Sequence, residues 1–252
     1  MKFIKIIYYI KSLFKKKDFN YLEEQTKIFS KNNLNYQEGK NKLENILKNF
    51  DLKKYEMNSE HLKIFSAISL KKKVQNILEI GTYDGSNCLL LNKLFPLANI
   101  DTIDLDSGSN EYKNLYDRDK ETKNNEINKT RLNNLTKSKK INFREKNSLK
   151  LILENEKKYD LIWIDGFHGA PTVIVDIVNS LRLINLDGII LIDDVFFHGE
   201  TYSAYQSDAA LKTITCLKKA NLINYSLFYK RLDKKYNLNE FDQKFIALIE
   251  KC

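Results

Sequence analysis

Three groups of residues in this 252-residue chain have the types and spacing to do chemistry. The first is Leu78-Glu79-Ile80-Gly81-Thr82-Tyr83-Asp84-Gly85-Ser86-Asn87, which follows an apolar run (Val74, Ile77, Leu78, Ile80). A second apolar run at helical spacing comes after it (Cys88, Leu89, Leu90, Leu91, Leu94). Strand, glycine-bearing turn and helix in that order make a nucleotide-type binding loop. Gly81 and Gly85 let the backbone turn tightly and approach a ligand where a Cβ would obstruct, and the first N–H groups of the helix face an anionic group. Glu79 would repel a pyrophosphate and attract a cationic amino group, which favours S-adenosylmethionine over NAD. Cofactor contacts are therefore expected from Glu79, Gly81, Thr82, Tyr83, Gly85, Ser86 and Asn87, and from Asp165 further along the chain. Asp104 ends a short strand pattern 23 positions past Gly81, the spacing at which a carboxylate accepts hydrogen bonds from both ribose hydroxyls.

The second group is Tyr159-Asp160-Leu161-Ile162-Trp163-Ile164-Asp165-Gly166-Phe167-His168, and the third is Leu186-Asp187-Gly188-Ile189-Ile190-Leu191-Ile192-Asp193-Asp194-Val195. Each is an apolar strand with acids at its end. His168 lies three residues past Asp165 and His198 four past Asp194. A neutral imidazole beside such acids is suited to removing a proton from an acceptor, so both are candidate general bases and Asp165 joins them as a catalytic candidate. His61 reads as structural.

The elements that must position these groups alternate. Strand patterns at 76–80, 100–105, 141–145, 160–164 and 188–193 are each followed by a helical one, at 86–95, within 110–137, near 148–156, at 171–184 and at 203–220. That alternation predicts a parallel sheet with helices on both faces. The end breaks it: 222–230 and 244–250 read as two strands with no helix between them, a terminal antiparallel pair joined by a polar, mobile connection. The expected architecture is an α/β, Rossmann-like, seven-stranded and mostly parallel sheet over 59–252, preceded by a helical extension or cap over 1–58.

These features together resemble the class I S-adenosylmethionine-dependent methyltransferases, over about residues 60–252. The loop Glu79-Ile80-Gly81-Thr82-Tyr83-Asp84-Gly85 resembles that family's first motif in its small O-methyltransferase form, in which an aromatic residue replaces the middle glycine. The resemblance implies adenine contacts after the third strand, at Asn147 and Ser148. Ile164-Asp165-Gly166-Phe167-His168 and the paired acids Asp193 and Asp194 resemble the metal-dependent O-methyltransferases, including those acting on sugars. The family's strand order would bring Asp165, Asp193 and Asp194 together, and three carboxylates in one place select a hard cation: Mg²⁺ first, with Mn²⁺ or Ca²⁺ as alternatives. The implied reaction is methyl transfer to a hydroxyl of a small molecule or sugar, with the metal lowering the pKa of that hydroxyl. The departures are Ser86 and Asn87, which replace an aromatic-plus-hydroxyl pair and imply a different hold on the carboxylate end of the cofactor, and Phe167, at a position often polar, which bears on the acceptor more than on the cofactor.

Rival readings stay open. They are methylation of nitrogen or of a macromolecule such as RNA, a hydroxylase on the same scaffold, and a non-catalytic membrane- or partner-binding adapter. An NAD enzyme is disfavoured because Tyr83 breaks the Gly-x-Gly-x-x-Gly spacing. The net charge of +9 comes from lysines spread over many faces rather than from an Arg-rich block, so no specific nucleic acid is expected. Hydrophobic residues at 42% suffice for a core and exclude wholesale disorder. The three scattered cysteines have no metal-ligand spacing and fit a reducing cytoplasm. Residues 2–17 interleave lysines with bulky apolar residues and lack the ~20-residue apolar run of a membrane span. They read as a helix docked on its own domain or on a second subunit of a homo-oligomer. The alternative is peripheral contact with an anionic membrane at its inner face.

Overall fold

The computed structural model of the chain describes residues 19–49, 59–110, 112, 121–153, 157–237 and 239–252. The basic segment 2–17 lies outside the described residues. Helices α1 (Tyr21–Lys31), α2 (Tyr36–Asn49) and α3 (His61–Lys71) precede the first strand. The chain then runs β1 (Asn76–Ile80), α4 (Ser86–Leu94), β2 (Asn99–Asp104), α5 (Glu121–Leu135) and β3 (Ile141–Glu145). After a 3-10 turn at Ser148–Leu153 come β4 (Tyr159–Ile164), α6 (Thr172–Leu183), β5 (Ile184–Phe196), α7 (Ala209–Lys219), β6 (Ile223–Tyr229) and β7 (Lys244–Lys251).

The strands form one seven-stranded sheet in the order β3-β2-β1-β4-β5-β7-β6. β1 through β5 pair in parallel, and β7 inserts antiparallel between β5 and β6. The order reverses between β1 and β4, and a ligand crevice opens beyond the carboxyl ends of strands at such a reversal. The alternating strand–helix pattern and the terminal antiparallel pair are thus both realised. The central strands are buried on both faces, so their side chains divide by parity. Leu161, Trp163 and Leu191 join the core cluster on one face, and Ile162, Ile164, Ile190 and Ile192 join that on the other.

The described part of the N-terminal extension shares the first of these clusters. Phe29, Leu43 and Ile46 belong to it together with Phe65, Trp163 and Phe228. Gly39 lets α2 lie against α3, because a Cβ there would meet Ala67 and the Lys63 carbonyl. The outer strand β6 is met by a side chain that imitates a strand. Gln25, fully buried in α1, accepts the Tyr229 N–H (2.9 Å) and donates to the Tyr229 carbonyl (3.1 Å). This double bond satisfies an edge that would otherwise expose paired donors and acceptors. It also anchors the residue before Lys230, whose own carbonyl accepts the Glu60 N–H (2.8 Å). The polar connection between β6 and β7 is likewise tied down. Asn237, buried, donates to the Arg231 carbonyl (2.8 Å) and the Asp233 carbonyl (3.0 Å), and accepts from Gln243 (3.0 Å).

Replacing Gln25 with Ala leaves a buried backbone N–H and C=O of Tyr229 without partners. Urea unfolding of Gln25→Ala is expected to show a loss of about 1–3 kcal/mol. A loss under about 0.5 kcal/mol would mean that water replaces the side chain at this edge.

Candidate active site

The loop Gly81–Gly85 leaves β1 at the point where the strand order reverses. Gly81 (φ +101°), Tyr83 (φ +48°) and Gly85 (φ +74°) all lie in the left-handed region. Such a backbone is strained for Tyr83, and neighbours over-determine it. Asp104 accepts the Tyr83 N–H (2.9 Å), Arg131 donates from Nε to the Tyr83 carbonyl (2.6 Å), and Asn134 donates to the Asp84 carbonyl (3.0 Å). The second and third of these come from α5, so the loop's shape depends on a helix about 50 residues away. A Cβ at Gly81 would collide with the Asp165 carbonyl, which fixes glycine there independently of any ligand.

Glu79 sits beneath this loop and is fully buried. Its carboxylate accepts from Asn87 Nδ2 (2.8 Å) and from Thr102 Oγ1 (2.5 Å), and Thr102 shares a further hydrogen bond with Thr82 (2.6 Å). Burial, opposed by those two bonds, pushes Glu79 up to about 7. Glu79 thus joins β1, β2, the loop and the start of α4 from below. It does not line the cavity onto which the loop opens.

That cavity encloses about 480 Å³, and its lining includes Gly81, Thr82, Tyr83, Asp84, Ser86 and Asn87. The same lining holds Asp165 and Gly166, His168, the pair Asp193 and Asp194, Lys230 and Lys244, and His61 and Tyr205. The carboxyl ends of β1, β4 and β5 therefore bring the expected loop, acids and one histidine into one space. Asp104, Asn147 and Ser148 lie outside this lining. Asp104 is engaged with the loop as described, and with the Leu105 N–H (2.9 Å). Asn147 accepts the Leu149 N–H (3.0 Å) at the start of the 3-10 turn, and the Ser148 carbonyl accepts from Asn179 (3.4 Å). His198 is not brought into the cavity; its ring stacks on Phe241 at 5.3 Å.

The acids converge by an irregularity in β5. Pairing with β7 shifts register between Ile192 and Val195, and Asp194 takes φ +49°. In a regular strand Asp193 and Asp194 would point to opposite faces; this bulge re-aims them. Both then meet one ammonium: Lys230 Nζ donates to Asp193 Oδ2 (2.6 Å) and to Asp194 Oδ1 (2.7 Å). Lys244 Nζ donates to Asp194 Oδ2 (2.6 Å). His168 Nε2 lies 3.7 Å from Asp165 Oδ1 and 4.0 Å from Asp194 Oδ2. Burial would raise Asp194, but Lys230 and Lys244 hold it well below the usual carboxylate range. Burial would lower Lys230, but Asp193 and Asp194 hold it firmly protonated. Burial, then the Asp193 charge, push Asp165 up, and burial pushes the His168 imidazole down, leaving it neutral at neutral pH.

The expected divalent ion at Asp165, Asp193 and Asp194 does not fit this arrangement. Three of the four oxygens of Asp193 and Asp194 are taken by lysine ammoniums, which leaves Asp193 Oδ1 as the acceptor without a partner. A divalent ion ~4 Å from an ammonium is repelled by on the order of 8 kcal/mol at an effective dielectric of ~20. No group of three His, Cys, Asp or Glu among the described residues is arranged to hold a metal ion.

Sequence reasoning missed Lys230, Lys244 and His61. The lysines sit among many others and carry no local signature. His61 stacks on Trp163 (5.3 Å between ring centres) with Nδ1 bonded to Ser59 Oγ (2.6 Å), and burial pushes it down to about 4. Its place at the end of the N-terminal helices gave no hint that it would face the acids.

Glu79 supplies a test of this geometry. A carboxyl raised to about 7 from its ordinary 4.5 contributes stability that is present below the unfolded value and lost as pH rises through the folded one. Wild type should lose up to ~3 kcal/mol of stability between about pH 4.5 and about pH 7 through this group. Glu79→Gln lacks that loss, and Thr102 can turn its hydroxyl to accept from the amide. In urea melts the advantage of Glu79→Gln over wild type should grow across that interval and stay flat above it. An advantage that does not change with pH would show that Glu79 titrates normally.

Comparison with known proteins agrees with this construction. Residues 78–195 match the family model described as a methyltransferase domain. No curated protein matches the sequence. Among solved structures, the O-methyltransferase TomG of tomaymycin synthesis from Streptomyces achromogenes, in complex with SAM, superposes with TM-score 0.53 at 14% identity, covering 86% of this chain and 92% of that one. The SAH-bound methyltransferase PaMTH1 of Podospora anserina gives 0.53 at 18% identity, covering 85% of this chain and 87% of that one. The O-methyltransferase from Bacillus cereus in complex with SAH gives 0.52 at 18%, covering 84% and 91%. Residues 78–195 are thus similar to a methyltransferase domain, and the sheet has the Rossmann-like fold of the solved methyltransferases on which it superposes.

Proposed function

We propose that this chain transfers the methyl group of S-adenosylmethionine to a hydroxyl oxygen of a small molecule or a sugar. The observation that carries the reading is the single cavity shared by the loop Gly81–Gly85 and His168 with its neighbouring acids. The O-methyltransferase activity and the SAM or SAH named for two of its structural neighbours support it. The loop, Ser86 and Asn87 would hold the methionine portion, with Glu79 bracing them from below. Asp104 would accept from the ribose hydroxyls, and Asn147 with Ser148 would meet the adenine.

The sulfonium already activates the methyl group, so the protein's task is alignment and proton removal. The acceptor oxygen must stand in line with the carbon–sulfur bond at ~3–3.5 Å. A lone pair of that oxygen forms the new O–C bond while the C–S pair returns to sulfur, and the hydroxyl proton passes to the neutral His168 imidazole. The products are the methyl ether, S-adenosylhomocysteine and a proton that His168 returns to solvent. No step is assigned to a metal, because lysines meet the charge of the acids. The acceptor would lie against His61 and Tyr205, which share the cavity with the loop.

Isothermal titration should show wild-type protein binding S-adenosylhomocysteine and not NAD. Asp104→Ala should weaken that binding by ~10- to 100-fold, the loss of hydrogen bonds to a charged acceptor. NAD binding in place of S-adenosylhomocysteine would refute the reading. With an acceptor found by labelled-methyl screening of glycans, nucleotide sugars and catechols, His168→Ala should cut kcat by about 10²- to 10⁴-fold. Its affinity for S-adenosylhomocysteine should stay at the wild-type value; a variant that loses both would mark His168 as part of the cofactor site instead.

A further inference from the structure

We infer that this active site carries its own cation: the Lys230 ammonium, bonded to Asp193 and Asp194 and seconded by Lys244, does the charge-balancing work of a divalent ion, so these acids bind no metal. The inference rests on the methyltransferase reading for its chemistry, but its geometry stands independently. Lys230 is buried, and its ammonium lies 2.6 Å from Asp193 Oδ2 and 2.7 Å from Asp194 Oδ1, bridging the two acids as a bound ion would. Lys244 closes the far oxygen of Asp194 at 2.6 Å.

The backbone is built to deliver both lysines. β6 and β7 pair Tyr229 with Phe245, which makes Lys230 and Lys244 the next opposed pair, and the Lys230 N–H donates to the Lys244 carbonyl (3.0 Å). Like charges directly opposed across two strands destabilise a sheet. Asp194 resolves the conflict by giving one oxygen to each. The buried charges are therefore mutually dependent: two anions and two cations balance, and an added dication would have to expel the lysines from the oxygens it needs. Losing either partner of a buried pair strands the other, which is far costlier than losing an exposed one.

The arrangement also leaves Lys230 able to act on the acceptor. An ammonium has three donors, and the bonds to Asp193 and Asp194 use two of them. Lys230 lines the cavity, so the third N–H is available to hold the acceptor oxygen while its proton leaves. In this role Lys230 orients one oxygen, where a metal would chelate two.

The test is Mn²⁺ binding followed by electron paramagnetic resonance, on the full chain saturated with S-adenosylhomocysteine. Wild type is expected to show no Mn²⁺ site that depends on Asp194. One Mn²⁺ per chain bound with submillimolar Kd, and lost in Asp194→Asn, would overturn the inference without any engineered lysine. Lys230→Met uncovers the acids and should bind Mn²⁺ at least ~10-fold more tightly than wild type, the scale on which neighbours of a metal site alter its affinity. A folded Lys230→Met with no gain would also overturn it, and Lys244→Met, judged the same way, serves should Lys230→Met fail to fold. Turnover on any acceptor identified should be equal in excess EDTA and in Mg²⁺; a loss of more than ~10-fold in EDTA, restored by Mg²⁺, counts against the inference. Failure to bind S-adenosylhomocysteine in the same samples would defeat the methyltransferase reading and leave the Mn²⁺ result to decide this one.

Discussion

Two carboxylates cannot be buried side by side at the end of a sheet unless a cation is buried with them, and this molecule is arranged around that constraint. Lys230 supplies the cation, and much of the surrounding structure serves to hold it there. The bulge in β5 turns Asp193 and Asp194 toward one point. The antiparallel insertion of β7 sets Lys244 beside Lys230. α1 fastens the preceding residue through Gln25, and the start of α3 fastens the Lys230 carbonyl through Glu60. The N-terminal helices are thus part of what builds the site, although none of their acids or bases reaches it except His61 at the end of the series.

A further buried carboxylate, Glu79, organises the backbone beneath the glycine loop. Glu79 has no ammonium partner and is met instead by neutral donors, Thr102 and Asn87, which leaves it near its point of titration at neutral pH. The two acidic positions therefore solve the same desolvation problem differently. At Asp193 and Asp194 lysines balance the charge; at Glu79 hydroxyl and amide groups suffice. The division matches the chemistry proposed for the two positions, with the cofactor's methionine portion against the braced loop and the acceptor against the charged cluster.

Much of the fold was legible before any coordinate. The strand runs and the helical runs have different periods, and in the central strands continuous burial of Ile, Leu and Trp leaves little room for another reading. The terminal hairpin showed itself by the absence of a helical run between residues 230 and 244. The glycine loop was legible too, since Gly81 and Gly85 stand where left-handed backbone is needed. Less visible was that Tyr83 shares this conformation, held by Asp104 and Arg131. The metal expectation took no account of Lys230 and Lys244, for a definite reason. It counted the carboxylates that the strand order brings together and had no means of counting the cations, because a lysine's reach and direction are set by tertiary packing.

The sequence by itself determined the order of strands and helices along the chain, the glycine turn after β1 and the acids at the strand ends, while the meeting of Asp165, Asp193 and Asp194 was implied by the strand order of the family the chain resembles. The first three follow from local periodicity and from turn chemistry. Only the tertiary structure decided what neutralises the acids, which histidines face the cavity and what Glu79 does. Each of those depends on partners far apart in the chain: Lys230 lies 37 positions from Asp193, Lys244 lies 50 from Asp194, and Thr102 lies 23 from Glu79. A charge shows its type in the sequence, but its energy depends on what is packed within a few ångströms of it, and that distance exists only in the folded chain.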